Sequence, residues 1–294
     1  MSRRFFIVDV FAERPYAGNQ LAVVVDATEL SSDTMQQIAL ETNYSETTFV
    51  TSVPEADGGY RVRMFTPARE IAFAGHPILG TAWVVRHHVA PGMSGPVRLN
   101  LAVGPVPVSF KSLPDGEEVA WFLAPPVSLG PTCTSEQIAA ALRISPDDIE
   151  SGAPVQQISA GTSLMIVPLR SLEALRRSKL DLDAFTPLAT AGFPPLVYIF
   201  CRQTHHPEND LCARFFFDAH GVREDPPTGN GAAFLGAYLL EHRFLSGIDL
   251  SLRIEQGHEV RRPSLVLLRA RMAEGLREVS VGGRVIPTVQ GELL

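Results

Sequence analysis

Two segments constrain the fold of this chain more than any other feature. Phe73-Ala74-Gly75-His76-Pro77-Ile78-Leu79-Gly80-Thr81-Ala82-Trp83 and Thr228-Gly229-Asn230-Gly231-Ala232-Ala233-Phe234-Leu235-Gly236-Ala237-Tyr238 each hold a glycine-led turn followed by an almost wholly apolar run. A helix that is apolar on every side has no face for water and must be buried. Each run also follows the same prelude. A strand ending in Phe gives way to an acidic loop, from Phe65 through Glu70 to Gly75-His76 and from Phe217 through Asp225 to Gly229-Asn230. The recurrence predicts two similar lobes, each with strands wrapped around a central apolar helix. A chain of 294 residues is long enough for two cores of ordinary size.

The rest of the pattern fits an α+β fold. Short apolar and alternating runs predict strands at 4–11, 20–25, 46–52, 59–66, 97–111 and 117–123. Further strands are predicted near 155–159, 163–169, 195–203, 211–218, 249–256, 264–270 and 278–286. Helical spacing marks 33–43, 134–143 and 181–191, and the two apolar helices are placed at 77–88 and 230–242. Pro77 is read as the first helical residue. Pro125-Pro126 and Gly130-Pro131 read as a linker near 125–132, so the lobes are expected over 1–128 and 129–294, with the last strand able to cross back to the first lobe.

Several function classes are excluded. The formal net charge is −7 and no Lys/Arg run exceeds two residues, which argues against nucleic acid as a partner. No apolar stretch is long enough for a membrane span, and Asp9 interrupts the first strand too early for a signal-peptide core. Cys133, Cys201 and Cys212 form no CxxC, so reduced thiols and a cytoplasmic location are expected. No glycine-rich nucleotide fingerprint and no GxSxG occur, so neither a nucleotide cofactor nor an α/β-hydrolase is expected. The pairs His87-His88 and His205-His206 have no i, i+4 partner or nearby carboxylate at ligand spacing, so no metal is expected.

Three polar residues stand out. Glu46, in Ser45-Glu46-Thr47-Thr48-Phe49, lies where a helix gives way to a strand. Partial desolvation there would raise its pKa and suit it to general acid/base work. His76 lies at a helix start, where the positive end of the dipole favours neutral imidazole. Asp225 sits in Glu224-Asp225-Pro226. Each has an ordinary alternative: a surface or capping glutamate, a structural histidine, and an Asx turn before proline. The two glycine-led helix starts could grip a carboxylate or steady an enolate, or could be plain turns into core helices.

Taken in order, the segments resemble the PhzF-like family of phenazine biosynthesis, relatives of diaminopimelate epimerase. Val8-Asp9-Val10-Phe11 with Arg14-Pro15-Tyr16-Ala17-Gly18-Asn19 is similar to the family's first hairpin. Ser45-Glu46-Thr47-Thr48-Phe49, Phe65-Thr66-Pro67, Ala74-Gly75-His76-Pro77 and Glu224-Asp225-Pro226 with Thr228-Gly229 match its later motifs, as do Gln256-Gly257, Arg262-Pro263-Ser264 and Val281-Gly282-Gly283. The resemblance implies two strand-rich, barrel-like lobes, an active site in the cleft between them, and a homodimer. It also implies a cofactor-independent isomerase in which Glu46 is the acid/base, assisted by His76 and Asp225. The substrate would be a small carboxylate-bearing metabolite held by Asn19, Ser45, Gly75, Gly229 and Asn230. Asn230 stands where the family often has serine, and Gln20 replaces a common proline, which is expected to touch only local stiffness.

Epimerases and racemases of this fold use two thiols, one at each helix start. Here Ala74 precedes Gly75 and no cysteine lies near Gly229. That favours a single carboxylate shuttling a proton, hence isomerisation. A non-catalytic small-molecule-binding protein and an epimerase or lyase using the same carboxylate are the alternatives.

Overall fold

The computed structural model describes residues 2–114, 116–217 and 224–294. They divide into two compact units, Met1–Leu123 with Gly282–Leu294, and Ala124–Val281. Both are strand-rich, and the chain is α+β.

In the first unit the strands are β1 (Arg3–Val10), β2 (Asn19–Val25), β3 (Glu46–Val50), β4 (Tyr60–Phe65), β5 (Glu70–Ile71), β6 (Val97–Leu101), β7 (Gly104–Ser112) and β8 (Glu118–Leu123). Pairing runs β1–β2 antiparallel, β2–β3 parallel, β3–β4 antiparallel, β4–β6 parallel, then β6–β7 and β7–β8 antiparallel. The C-terminal strand Leu276–Leu293 pairs with both β8 and β1, which closes the ring. Closure leaves this barrel no open edge. Helix α1 (Ser32–Thr42) makes the crossover that the parallel β2–β3 pair requires. Its Met35 and Ala39 cover Val24, Phe49 and Phe65. Helix α2 (Gly75–Val84) packs against β1, β2, β3, β6, β7 and β8, with only Trp83 less than fully buried.

In the second unit the strands are β9 (Ser128–Cys133), β10 (Val155–Ala160), β11 (Thr162–Pro168), β12 (Val197–Cys201), β13 (Leu211–Phe216), β14 (Glu224–Asp225), β15 (Asp249–Gln256) and β16 (Ser264–Ala273). The helices are α3 (Ser135–Leu142), α4 (Leu172–Arg177), α5 (Leu182–Thr190) and α6 (Gly229–Glu241). Pairing runs β9–β10 and β10–β11 antiparallel, β11–β12 parallel, β12–β13 antiparallel, β13–β15 parallel and β15–β16 antiparallel. The orientations repeat those of the first unit, from the strand that precedes β1 in its ring through β7. The short strands repeat too: β5 pairs with β4 just before α2, and β14 pairs with β13 just before α6. The duplication that sequence identity barely carries is thus explicit in strand order.

Four expectations need correction. The stretch read as a linker is partly strand β9, paired with β10. Pro131 is tolerated because the register slips between Gln156 and Ile158, opposite Gly130-Pro131, where a missing N–H costs no ladder bond. Helix α2 begins at Gly75 rather than Pro77. Pro77 still sits among the first residues whose N–H groups have no partner within a helix. The same helix ends its α-helical part at Val84 and continues as a π-helical turn, Val85–Val89. Helix α4, too short to show a period, had no predicted counterpart.

Glycine in the middle of a helix usually weakens it by about 1 kcal/mol relative to alanine. Gly80 is retained for contact: a Cβ there would lie 2.6 Å from Leu21 Cδ2 and 2.9 Å from Val10 Cγ2. Gly80→Ala is therefore expected to destabilise the chain by about 1–3 kcal/mol, overpacking outweighing the better helix former. Urea unfolding measures this, and an unchanged or higher midpoint would refute the packing role.

Candidate active site

Asn19 opens β2 and Val10 ends β1, and the two residues pair across the hairpin. The loop between them is tightly bent. Phe11 and Tyr16 both have left-handed backbones, with φ of 61° and 65°. Gly18 is also left-handed, and a Cβ there would lie 2.3 Å from the Val10 carbonyl oxygen. The Tyr16 N–H donates to the buried Asp9 carboxylate at 2.7 Å. Strain held in place this way is typical of a functional loop.

Glu46 is the first residue of β3, paired with Leu21. His76 is the second residue of α2. The fold brings their side chains together, with His76 Nε2 3.4 Å from Glu46 Oε2. The imidazole side chain is 4% exposed and the carboxylate 13%. On the other side of the ring, Asn19 Nδ2 lies 3.3 Å from His76 Nδ1. When that amide donates to Nδ1, the ring hydrogen is on Nε2 and faces Glu46. Burial pushes the His76 pKa down to about 3, and the Gln20 carbonyl pulls weakly the other way. The imidazole is therefore neutral, in line with its place at a helix start. The Gln20 carbonyl faces this ring, a backbone contact that does not depend on the side chain at this position.

Gly75 is the first residue of α2 and Ser45 directly precedes β3. The N-cap of α2 is Ala74, which offers no side-chain cap, and the first turn holds no acid. Helices α1, α3, α4 and α5 each carry Asp or Glu in that turn. Those acids complement the helix dipole, and α2 and α6 lack them. Free donors and an uncompensated positive end suit an external carboxylate.

The second unit carries its own constellation. Asp225, 8% exposed, ends β14 opposite Phe215. Gly229 and Asn230 are the first two residues of α6, whose N-cap Thr228 accepts from the Gly231 N–H. Gln256, fully buried at the end of β15, holds this turn. Its amide donates to the carbonyls of Asp225 and Pro226, and its oxygen accepts from the Thr228 N–H and the Tyr198 hydroxyl. In sequence Gln256 stands only within the Gln256-Gly257 motif, which gives it no role. The available signal was a polar side chain closing a mostly alternating strand just before Gly257.

Strand register relates the two constellations. Thr47 pairs with Phe65 in one unit, and Val197 pairs with Phe216 in the other. Glu46 therefore corresponds to Leu196, and His76, one residue into its helix from Gly75, corresponds to Asn230. The carboxylate–imidazole pair has no counterpart at the equivalent positions of the second unit.

Comparison with known proteins gives the family and the fold. The family profile PhzC-PhzF, described as phenazine biosynthesis-like protein, matches residues 8–291. A trans-2,3-dihydro-3-hydroxyanthranilate isomerase of Pseudomonas aeruginosa is 34% identical over 290 residues, covering 98% of each chain. An uncharacterised isomerase of Mesorhizobium japonicum is 35% identical, covering 99% of each chain. The crystal structure of a PhzF-family phenazine biosynthesis protein from Bacillus anthracis shares the fold, with a TM-score of 0.90 at 24% identity over 100% of this chain and 99% of that one.

Proposed function

Since the chain belongs to the phenazine biosynthesis-like PhzF family and is an isomerase, we propose that it shifts a proton and a double bond in a small carboxylate-bearing metabolite without a cofactor, using Glu46 as the acid/base. The observation that carries this reading is the approach of Glu46, 13% exposed at the start of β3, to buried His76 at the start of α2. The Glu46 carboxylate takes a proton from a substrate carbon as the C–H electrons move into the adjacent π-system. The resulting carboxylic acid returns the proton to another carbon of that system. His76, neutral and beside Asn19, lies 3.4 Å from the carboxylate and is assigned to orient it.

One base on one unit supports isomerisation over inversion. Inversion at a stereocentre by two groups needs an acid/base on each face. The residue that matches Glu46 by register in the second unit is Leu196, which carries no titratable group. The donors at Gly75 are assigned to the substrate carboxylate. Glu46 is close enough to the α2 terminus for charge on the substrate to be held while its proton moves.

The substrate named for the Pseudomonas aeruginosa relative, trans-2,3-dihydro-3-hydroxyanthranilate, is the first compound to test. Turnover is expected for it or for a ring-bearing carboxylate of similar size, followed by absorbance as the double bond moves. The matching carboxamide is expected to raise KM about 10–100-fold, the loss of a charge-assisted bond of about 1.5–3 kcal/mol. Equal KM values for acid and amide would remove the carboxylate from the reading.

A further inference from the structure

Outside the candidate active site, the fold gathers a second set of chemistry-bearing side chains in the Ala124–Val281 unit. His205, Glu255 and His258 each offer a ligand atom, and these atoms lie within 4.8 Å of one another. Sequence spacing gives no hint of this, because a connection after β12 meets the end of β15 and the turn that follows it. We propose that His205, Glu255 and His258 form a binding site for a divalent transition-metal ion of the zinc class, independent of the isomerase chemistry.

Three observations carry the proposal. First, Glu255 is a carboxylate only 1% exposed, and neutral donors hold it. The backbone N–H groups of His205 and His206 donate to it at 2.7 and 2.8 Å, and Asn209 Nδ2 at 2.7 Å. Among the described residues its one ion-pair neighbour is His258 Nε2, at 3.9 Å from Oε2. A buried carboxylate that lacks an arginine or lysine is short of positive charge. Second, His205 Nε2 is buried without a hydrogen-bond partner. Third, the His205 and His258 ring centroids lie 3.8 Å apart with planes 8° apart, beside Glu255, and one ring turns out of this stack on binding so that both lone pairs meet at the metal. Two imidazoles and one carboxylate make a donor set suited to zinc and its first-row neighbours, with water completing the shell.

Ligands about 2.0–2.2 Å from one metal lie roughly 3.4 Å apart, so the present spread contracts by up to about 1.4 Å on binding. The half-buried histidines can make that movement. Arg176 Nη2, 3.0 Å from His205 Nδ1, must move away, and it is an exposed side chain near the end of α4. The ring hydrogen then passes from Nε2 to Nδ1, leaving the Nε2 lone pair for the metal. Glu255 and Gln256 are consecutive in β15 and face opposite sides of the strand. A bound cation would tie the 202–210 connection to the strand whose Gln256 holds the start of α6.

The test uses the full, tag-free chain after chelator treatment, titrated with zinc chloride and with cobalt(II) chloride by calorimetry and visible absorption. One cation per chain is expected, with an intense cobalt band of a low-coordinate nitrogen/oxygen site and a melting temperature that rises with cation concentration. His205→Ala and His258→Ala are each expected to weaken binding by about 100-fold. No saturable binding of either cation, or equal binding in both variants, overturns the proposal. Should the variants fail to fold, X-ray absorption of the zinc-loaded wild-type chain decides: two or more imidazoles at the metal support the site, and fewer overturn it.

Discussion

Glu46→Gln is expected to lower turnover by about 10²–10⁴-fold and to leave the fold intact, the range a positioned acid/base supplies. The substitution keeps the size of the side chain and its place at the start of β3, where it is 13% exposed. It removes the one property the mechanism needs, a group that accepts and returns a proton. The loss corresponds to about 3–5 kcal/mol of transition-state stabilisation. It should fall on kcat with little change in KM, because the substrate carboxylate is assigned to the α2 donors rather than to Glu46. Circular dichroism and melting temperature serve as the folding control. A variant that keeps turnover within tenfold of wild type would move the proton transfer to another group.

The second large effect is acid sensitivity from His76. An imidazole in the unfolded chain titrates near 6.5, and in the folded chain it is pushed down to about 3 by burial. Between those values the unfolded state binds a proton that the folded state refuses. Stability is therefore full above about pH 6.5 and falls as pH drops, by about 1.4 kcal/mol per unit, until about pH 3. At about pH 4.5 the expected loss from this one group is roughly 3 kcal/mol. Urea unfolding across about pH 4–8 reads the slope. His76→Gln, which cannot titrate, is expected to flatten that part of the profile by the same amount. Equal slopes in the two chains, or a His76 that titrates above 6.5 by NMR, would show an imidazole charged against Glu46.

Much of the fold was legible because each lobe is built around a helix with no polar face. The runs from Ile78 and Ala232 could not lie at a surface, and the strands around them alternate or end at glycine and proline. What stayed hidden depended on long-range register. Pro131 read as a linker residue because the bulge that shelters it is made by Gln156–Ile158, far along the chain. The start of α2 was misplaced by two residues because Pro77 is tolerated throughout the first turn.

The site shows the same division. Glu46, His76 and Asp225 were singled out as residue types at element boundaries and then by motif order. Glu46 and His76, 30 positions apart, meet at 3.4 Å, which spacing alone does not give. Asn19, named for substrate binding, also places its amide 3.3 Å from the His76 ring, a contact that spacing does not give. Gln256, quoted only within a motif, and the His205, Glu255 and His258 group meet partners distant in sequence, which no period marks. The matching strand orders also locate the asymmetry that matters most: Leu196 stands where Glu46 does.

The central claim is that one carboxylate, Glu46, carries a proton between two carbons of the substrate. Turnover of a converted carboxylate in D2O, read by NMR and mass spectrometry, tests it most directly. One deuterium is expected at the carbon that receives the proton, on a single face, with incorporation suppressed together with turnover in Glu46→Gln. Deuterium on both faces, or undiminished incorporation in that variant, would contradict it.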